Sequence, residues 1–95
     1  MKLLIVVYDQ GIDETIMEAV EELELPGWTK TYDAQGAGGQ GRKLGDMVWP
    51  GRNNMLYVQL PDDRVDPVVR KLREIQAAFR LKPGITIWSL PVEAL

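Results

Sequence analysis

Residues 3–8 read Leu-Leu-Ile-Val-Val-Tyr, a continuous apolar run rich in β-branched side chains. The polar, turn-forming segment Asp9-Gln10-Gly11 ends the run at once. Short apolar runs bounded by turn residues are typical of strands that are covered on at least one face. The sequence therefore predicts that residues 3–8 form a central strand, against which the other elements pack.

Two segments on either side of the middle of the chain have the spacing of amphipathic helices. Asp13 is a candidate N-cap for the first, which is expected to end before Pro26-Gly27. Asp66 is a candidate cap for the second, with Pro67 in its first turn. The apolar stripes consist of Ile12, Ile16, Ala19, Val20 and Leu23 in the first helix, and of Val65, Val68, Leu72, Ile75 and Phe79 in the second.

Three further segments have the residue types of strands, at residues 28–34, 54–60 and 85–90. The resulting order β-α-β-β-α-β predicts an α+β, ferredoxin-like sandwich, in which a four-stranded antiparallel sheet carries both helices on one face. One domain over residues 1–95 accounts for the whole sequence. The opposite face of the sheet is expected to be bare, so subunits or ligands could pack there.

Residues 36–54 carry six of the nine glycines together with three cationic side chains. Glycine lets backbone N–H groups approach a bound group closely, and arginine and lysine suit an anion such as phosphate. The sequence therefore predicts an anion site in this loop. Its candidate residues are Gly36, Gly38, Gly39, Gln40, Gly41, Arg42, Lys43 and Arg52, helped by Lys82 of a neighbouring subunit. The alternative is a mobile basic connection between two strands.

The segment Gly36-Ala37-Gly38-Gly39-Gln40-Gly41 also fits the dinucleotide pattern G-x-G-x-x-G. That motif requires a helix that opens at the glycines. Gly45, Pro50 and Gly51 would interrupt such a helix. The pattern therefore does not indicate a dinucleotide-binding fold.

Composition narrows the possible functions. The 95 residues have 45% hydrophobic content and a net charge of −3, which does not suit a nucleic-acid partner. Cysteine and histidine are absent from the sequence, which excludes disulfides, thiol catalysis, a Ser-His-Asp triad and the usual zinc ligands. No apolar run reaches the roughly 20 residues of a membrane span, so the protein is expected to be cytoplasmic and not membrane-embedded. The glutamates of the first helix are interpreted as a solvated face.

The chain resembles the PII signalling protein superfamily over essentially its whole length. Residues 36–40, Gly-Ala-Gly-Gly-Gln, lie where PII proteins carry Gly-Phe-Gly-Arg-Gln, and Leu60-Pro61-Asp62-Asp63 is similar to the family's turn into its second helix. The resemblance implies a homotrimer that binds adenine nucleotides between subunits and whose T-loop, here residues 36–52, docks on a transporter or enzyme. The sequence differs from the family pattern at Gly39, in a shortened T-loop, and in the reduced segment 78–84.

The leading interpretation is a non-enzymatic regulatory protein that binds a small anionic effector, an adenine nucleotide or another anion, and regulates a partner such as a transporter. One alternative is a metal-responsive protein of the CutA type, with Asp33, Asp46 and Met47 as the only candidate ligands. A second alternative is a structural adaptor without a small-molecule ligand. An acylphosphatase-like enzyme would need a phosphate loop at residues 9–12, where none is evident, and no acid–base pair is apparent.

Overall fold

A computed structural model describes residues 1–38, 41–43 and 52–95 of the chain. The elements in chain order are β1 (Lys2–Asp9), α1 (Asp13–Glu22), β2 (Trp28–Ala34), β3 (Gly36–Gly38), β4 (Gly41–Lys43), β5 (Asn53–Leu60), α2 (Val65–Ala78) and β6 (Ile85–Pro91). A short 3₁₀ turn precedes each helix, at Gln10–Ile12 and Asp62–Arg64. Within the described ranges, no helix is long and apolar enough to cross a membrane.

The main sheet has four strands in the order β2-β5-β1-β6, and all neighbouring strands are antiparallel. Strand β1 lies inside the sheet, where Lys2 is opposite Leu60 of β5 and Pro91 of β6. A second, two-stranded sheet pairs β3 with β4. The predicted ferredoxin-like sandwich is therefore confirmed, and β1 extends the predicted strand by one residue at each end.

The core forms between one face of the sheet and the two helices. Alternate side chains of β1 and β5 point toward the helices and are buried, as the period of two in a strand requires. Each helix contributes its apolar stripe, so burial follows the predicted spacing. The buried apolar residues are Leu4, Val6, Tyr8, Ile12, Ile16, Ala19, Val20, Leu56, Val58, Leu60, Val68, Leu72, Ile75 and Ile85.

The opposite face of the sheet carries an apolar strip that no described helix covers. Ile5 is opposite Tyr57 on one side and Trp88 on the other, and Leu3 is opposite Leu90. The exposed fraction of Trp88 is 54% in the isolated chain. Large exposed apolar patches usually mark an interaction surface.

The two predicted helix caps are wrong. At the start of α1 the N-cap position is Ile12, and at the start of α2 it is Arg64; neither makes a side-chain capping hydrogen bond. In each case the preceding 3₁₀ turn leads directly into the helix, so the cap falls earlier in the chain. The Asp9 carboxylate caps the first 3₁₀ turn by accepting a hydrogen bond from the Gly11 N–H at 2.7 Å.

Strand β2 contains a bulge just before the chain leaves the main sheet. Thr31 is opposite Met55 and Ala34 is opposite Asn53, so two residues of β2 face one residue of β5. Asp33 has a φ of 60° there, a left-handed conformation that aspartate tolerates better than most residues. Bulges bend a strand and increase its twist, which redirects the chain into β3.

Candidate functional site

Several connections converge at one end of the main sheet, here called the loop end. Tyr8 of β1 is opposite Asn54 of β5 and Ile85 of β6, and Ala34 of β2 is opposite Asn53. The turn after β1, the segment between β2 and β5, and the connection before β6 therefore all meet the sheet at this end. Side chains from distant parts of the sequence can act together there.

The glycine-rich segment begins as a paired hairpin. Gly36 is opposite Lys43, Ala37 is opposite Arg42, and Gly38 is opposite Gly41. The sequence predicted a loop here between two strands, so the pairing of β3 with β4 is a correction. Pairing engages some of the peptide groups that the sequence interpretation left free for an anion. Five predicted site residues belong to this hairpin by their backbone: Gly36, Gly38, Gly41, Arg42 and Lys43.

The remaining predicted site residues lie at separate places. Gly39 and Gln40 fall outside the described residues, as do residues 44–51. Arg52 is half-buried directly before β5, and Lys82 is exposed in the connection before β6. Both therefore belong to the loop end.

The two ends of the segment between β2 and β5 are hydrogen-bonded to the turn after β1. The Gln10 N–H donates to the Arg52 carbonyl at 2.8 Å, and Gln10 Nε2 donates to Asp33 Oδ1 at 2.8 Å. One glutamine thus holds both ends of the segment that leaves the sheet. This role of Gln10 was not predictable from the sequence, because nothing local distinguishes it from any other turn residue.

Asp33 was also a candidate metal ligand in the CutA-type alternative. Its carboxylate accepts the hydrogen bond from Gln10, and the described residues contain no group of three or more acidic residues that could hold a metal ion. The other two candidates, Asp46 and Met47, lie outside the described residues.

A polar cluster lies under the loop end, on the helix side of the sheet. The carboxylate of Asp13 accepts hydrogen bonds from the Tyr8 hydroxyl at 2.6 Å and from Asn54 Nδ2 at 3.0 Å. Lys30 Nζ contacts the same carboxylate at 3.0 and 3.2 Å, and its side chain is only 7% exposed. Its ammonium group also lies 4.8 Å from the ring centre of Tyr32. Asp13 therefore joins α1 to three strands of the sheet instead of capping the helix.

The environment of the cluster fixes its protonation states near neutral pH. Burial and the hydrogen bond to the Asp13 carboxylate raise the pKa of the Tyr8 hydroxyl well above its usual value. Burial alone would raise the pKa of Asp13, but the hydrogen bonds from Tyr8, Lys30 and Asn54 outweigh it, and the pKa is lowered. Burial opposes the charge of Lys30, but its contacts with Tyr32 and Asp13 prevail and raise its pKa. The cluster is therefore an internal ion pair with a neutral phenol.

The cluster fixes the position of the chain where the glycine-rich segment returns to the sheet. Its groups satisfy one another, except that Asn54 Oδ1 is buried without a hydrogen-bond partner among the described residues. Asn54 is the first inward-facing residue after the glycine-rich segment returns to the sheet. The cluster therefore fixes where that segment ends. The sequence signal that could have indicated the cluster was a polar residue in the alternating apolar pattern of β5.

The fold defines the class of small α+β sandwiches with a ferredoxin-like order of elements. The chain belongs to the nitrogen regulatory protein P-II family, whose model matches residues 1–95. Comparison with curated protein sequences gave no match.

Solved structures share this fold at low sequence identity. CPII, a nitrogen regulatory PII-like protein from Thiomonas intermedia K12 solved with ADP, AMP and bicarbonate, is 16% identical, with a TM-score of 0.72 over 96% of this chain and 86% of that one. The apo form of CPII gives 14% identity and a TM-score of 0.65, over 96% and 89% of the two chains. A protein from Thermus thermophilus described as PII-like gives 19% identity and a TM-score of 0.66, over 94% and 83%. At such identities the likeness establishes the fold alone.

Proposed function

We propose that residues 1–95 act as one PII-like regulatory domain that forms a homotrimer and binds a small anionic effector at the loop end. The effector is an adenine nucleotide, bicarbonate or a similar anion, and the bound segment 36–54 regulates a partner such as a membrane transporter or an enzyme. The function is signalling in the cytoplasm, without catalysis.

The observation that carries the proposal is that β3 and β4 pair in a sheet of their own, while both ends of the segment that contains them are held at the main sheet. Gln10 holds the two ends of the segment through Arg52 and Asp33, and β3 pairs with β4 in a second sheet. A ligand held on such an extension changes the surface that a partner meets, and no chemical step is needed.

The family and the site chemistry support the class of effector. The P-II family is regulatory by its description, and CPII has been solved with ADP, AMP and bicarbonate. All of these ligands are anions, which suits the basic residues Arg42, Lys43, Arg52 and Lys82. In the proposed site these residues and the glycine N–H groups grip the anion, with Lys82 supplied by the neighbouring subunit.

The open face of the sheet supports the proposed assembly. Its apolar strip, with Ile5 flanked by Tyr57 and Trp88, would be covered if three copies packed face to face. A small domain of this length also gains stability from the surface that an assembly buries.

Thermal unfolding with and without candidate anions tests the proposed site. ATP, ADP, AMP, bicarbonate and phosphate are each added to the wild type, to Arg42→Ala and to Arg70→Ala, with divalent metals as a separate arm. Arg70 is exposed on α2 and serves as the matched control for loss of one arginine. An effector at a hundred times its dissociation constant adds about 2.7 kcal/mol, a shift of several degrees for this length.

We expect an anion to stabilise the wild type and Arg70→Ala, and Arg42→Ala to lose most of that shift. Stabilisation that persists in Arg42→Ala would contradict the proposed site. No shift with any anion would leave the adaptor function, and a shift with metals alone would favour the CutA-type alternative.

A further inference from the structure

An apolar groove lies on the helix side of the sheet, away from the loop end. It forms between the C-terminal half of α1, the chain that follows it and the first residue of β2, and its volume is about 410 Å³. Trp28 forms one wall and is 47% exposed. The lining residues are Met17, Val20, Glu21, Glu24, Leu25 and Trp28. Its floor is apolar, while its rim carries two glutamates.

The shape of the groove comes from the way α1 ends. The Glu24 N–H donates to the Glu21 carbonyl at 3.0 Å, and the Leu25 N–H donates to the Val20 carbonyl at 3.3 Å. This pair of bonds is a Schellman motif, which turns the chain back beside the last helical turn. Val20 and Leu25 consequently line the same groove.

Glu24 occupies the position of this motif that normally belongs to glycine. Its φ is 52°, in the left-handed region that disfavours residues with a Cβ. A strained residue that keeps a functional group in place points to a use for that group. Here the retained group is a carboxylate on the rim of the groove.

The two rim carboxylates are available for an external cation. Neither Glu21 nor Glu24 makes an ion pair or a side-chain hydrogen bond within the described part of the chain. Glu22, one residue along, does pair with Lys71 at 3.3 Å. Lys30 of β2 is already engaged with Asp13. Arg64 donates to the main-chain carbonyls of Leu23 and Glu24, and not to either rim carboxylate. The groove therefore combines two carboxylates that make no ion pair among the described residues with an exposed tryptophan.

The groove also borders an open edge of the sheet. Strand β2 is at the end of the strand order and pairs only with β5 in the described structure. An edge strand offers backbone donors and acceptors to an extended chain. Trp28, as the first residue of β2, joins this edge to the groove.

We propose that this groove docks an extended, basic segment of a partner protein. One large aliphatic side chain of the segment inserts against Trp28 and Val20, and flanking arginine or lysine side chains pair with Glu21 and Glu24. The occupant is basic because the rim is acidic, and it is extended because an edge strand lies alongside. The groove does not include the described residues of the loop end, and the proposed docking requires no effector. Since it lies on the helix side, a trimer built on the open face of the sheet leaves it accessible.

The test is the fluorescence anisotropy of a labelled synthetic peptide of alternating arginine and leucine, titrated with the full chain. We expect Glu21→Gln/Glu24→Gln and Trp28→Ala each to weaken binding by about tenfold or more. The matched control is Glu74→Gln/Glu93→Gln, which makes the same change of net charge at exposed residues elsewhere and should change affinity less than about twofold. Peptides with serine in place of leucine, or glutamate in place of arginine, should lose binding.

The variant Glu24→Gly separates the effect of Glu24 on peptide binding from its effect on stability. Glycine suits the left-handed position, so this variant should have a higher melting temperature and yet bind the peptide more weakly. Equal binding by Glu24→Gly and the wild type would overturn the role of this carboxylate.

Other outcomes would overturn the whole proposal. The first is no binding of the arginine–leucine peptide up to about 1 mM. The second is an equal loss of affinity in both pairs of charge variants, which would show non-specific attraction. The third is concentration-dependent self-association that Trp28→Ala abolishes, which would show that a second copy of this chain covers the groove.

Discussion

Asp13 joins four elements through one carboxylate. Its partners are Tyr8 of β1, Lys30 of β2 and Asn54 of β5, and Asp13 itself begins α1. Removing one member of such a pair leaves the other charge buried without compensation, which costs more than the pair contributes. The side chains of Lys30 and Asp13 are only 7% and 25% exposed, so water cannot fully replace the lost contact.

We predict that Asp13 makes the protein less stable at low pH. The pKa of Asp13 is lower in the folded chain than its unfolded value of about 3.9, so the carboxylate stabilises the fold above that pH. The unfolded chain takes up the proton more readily, and the free energy of unfolding therefore falls as the pH drops below about 4. The free energy of unfolding of Asp13→Asn should be about 2 kcal/mol lower than that of the wild type near neutral pH. It should also fall less steeply than that of the wild type as the pH drops below about 4.

Urea unfolding from about pH 7 to about pH 3 measures both effects. Glu18→Gln, an exposed carboxylate on the same helix, is the control and should behave like the wild type. If the free energy of unfolding of Asp13→Asn falls as steeply in acid as that of the wild type, other carboxylates dominate the pH dependence.

At this scale the sequence indicates which residues are polar but not which ones meet. Asp13 was predicted only as a helix cap, and that role is wrong, because capping is judged from neighbours in the chain. Its actual partners lie at positions 8, 30 and 54, and only the strand register brings them together. Gln10 and Asp33 were missed as a pair for the same reason.

At the scale of elements, the bulge in β2 determines where the hairpin leaves the sheet. Its conformation depends on Asp33, which combines a φ of 60° with the hydrogen bond from Gln10. A substitution here can disturb the backbone preference, the hydrogen bond, or both. Two variants separate these contributions.

We predict that Asp33→Ala destabilises the protein by about 1–2 kcal/mol, and that Asp33→Gly has a smaller effect. Alanine loses the hydrogen bond and is disfavoured at positive φ, whereas glycine loses only the hydrogen bond. Chemical denaturation of the two variants beside the wild type measures the difference. Equal losses would show that the backbone conformation at this position is not limiting.

Elements with a clear apolar period were predictable almost to the residue. Strand β2 was predicted at residues 28–34 and lies there, and β5 begins only one residue before its predicted start. The short strands β3 and β4 were missed because glycine carries no alternating pattern. The helix starts were misjudged because a 3₁₀ turn gives no apolar signal of its own.

At the scale of the whole molecule, two tryptophans with similar exposure lie on opposite sides of the sheet. Trp88 is 54% exposed on the open face, and Trp28 is 47% exposed on the helix side. They allow the proposed trimer to be tested with matched substitutions.

We predict that Trp88→Arg weakens the association of subunits by at least about 100-fold, because it removes a large apolar contact and buries an unpaired charge. Trp28→Arg should leave the assembly unchanged. Sedimentation velocity over a range of concentrations measures both. Dissociation by Trp28→Arg instead would place the subunit contact on the helix side.

The topology could be predicted because the order of elements leaves few ways to pack them. The candidate site could be predicted only as a region. The sequence marks glycines and cations, but the proposed contacts of Lys82 involve another subunit, and the identity of an anion depends on distances between groups far apart in the chain. No sequence motif indicates the groove beside Trp28, because its glutamates cannot be told from those of a solvated helix face.

The strand order also has a consequence for synthesis. Strand β1 is synthesised before both of its partners, because Lys2 pairs with Leu60 of β5, 58 residues later, and with Pro91 of β6, 89 residues later. Contacts this distant in sequence form slowly. The most apolar strand therefore emerges before either neighbour, and one of its edges stays unpaired until β6 is made. A nascent chain stalled before β6 is consequently the form of this protein most in need of a chaperone.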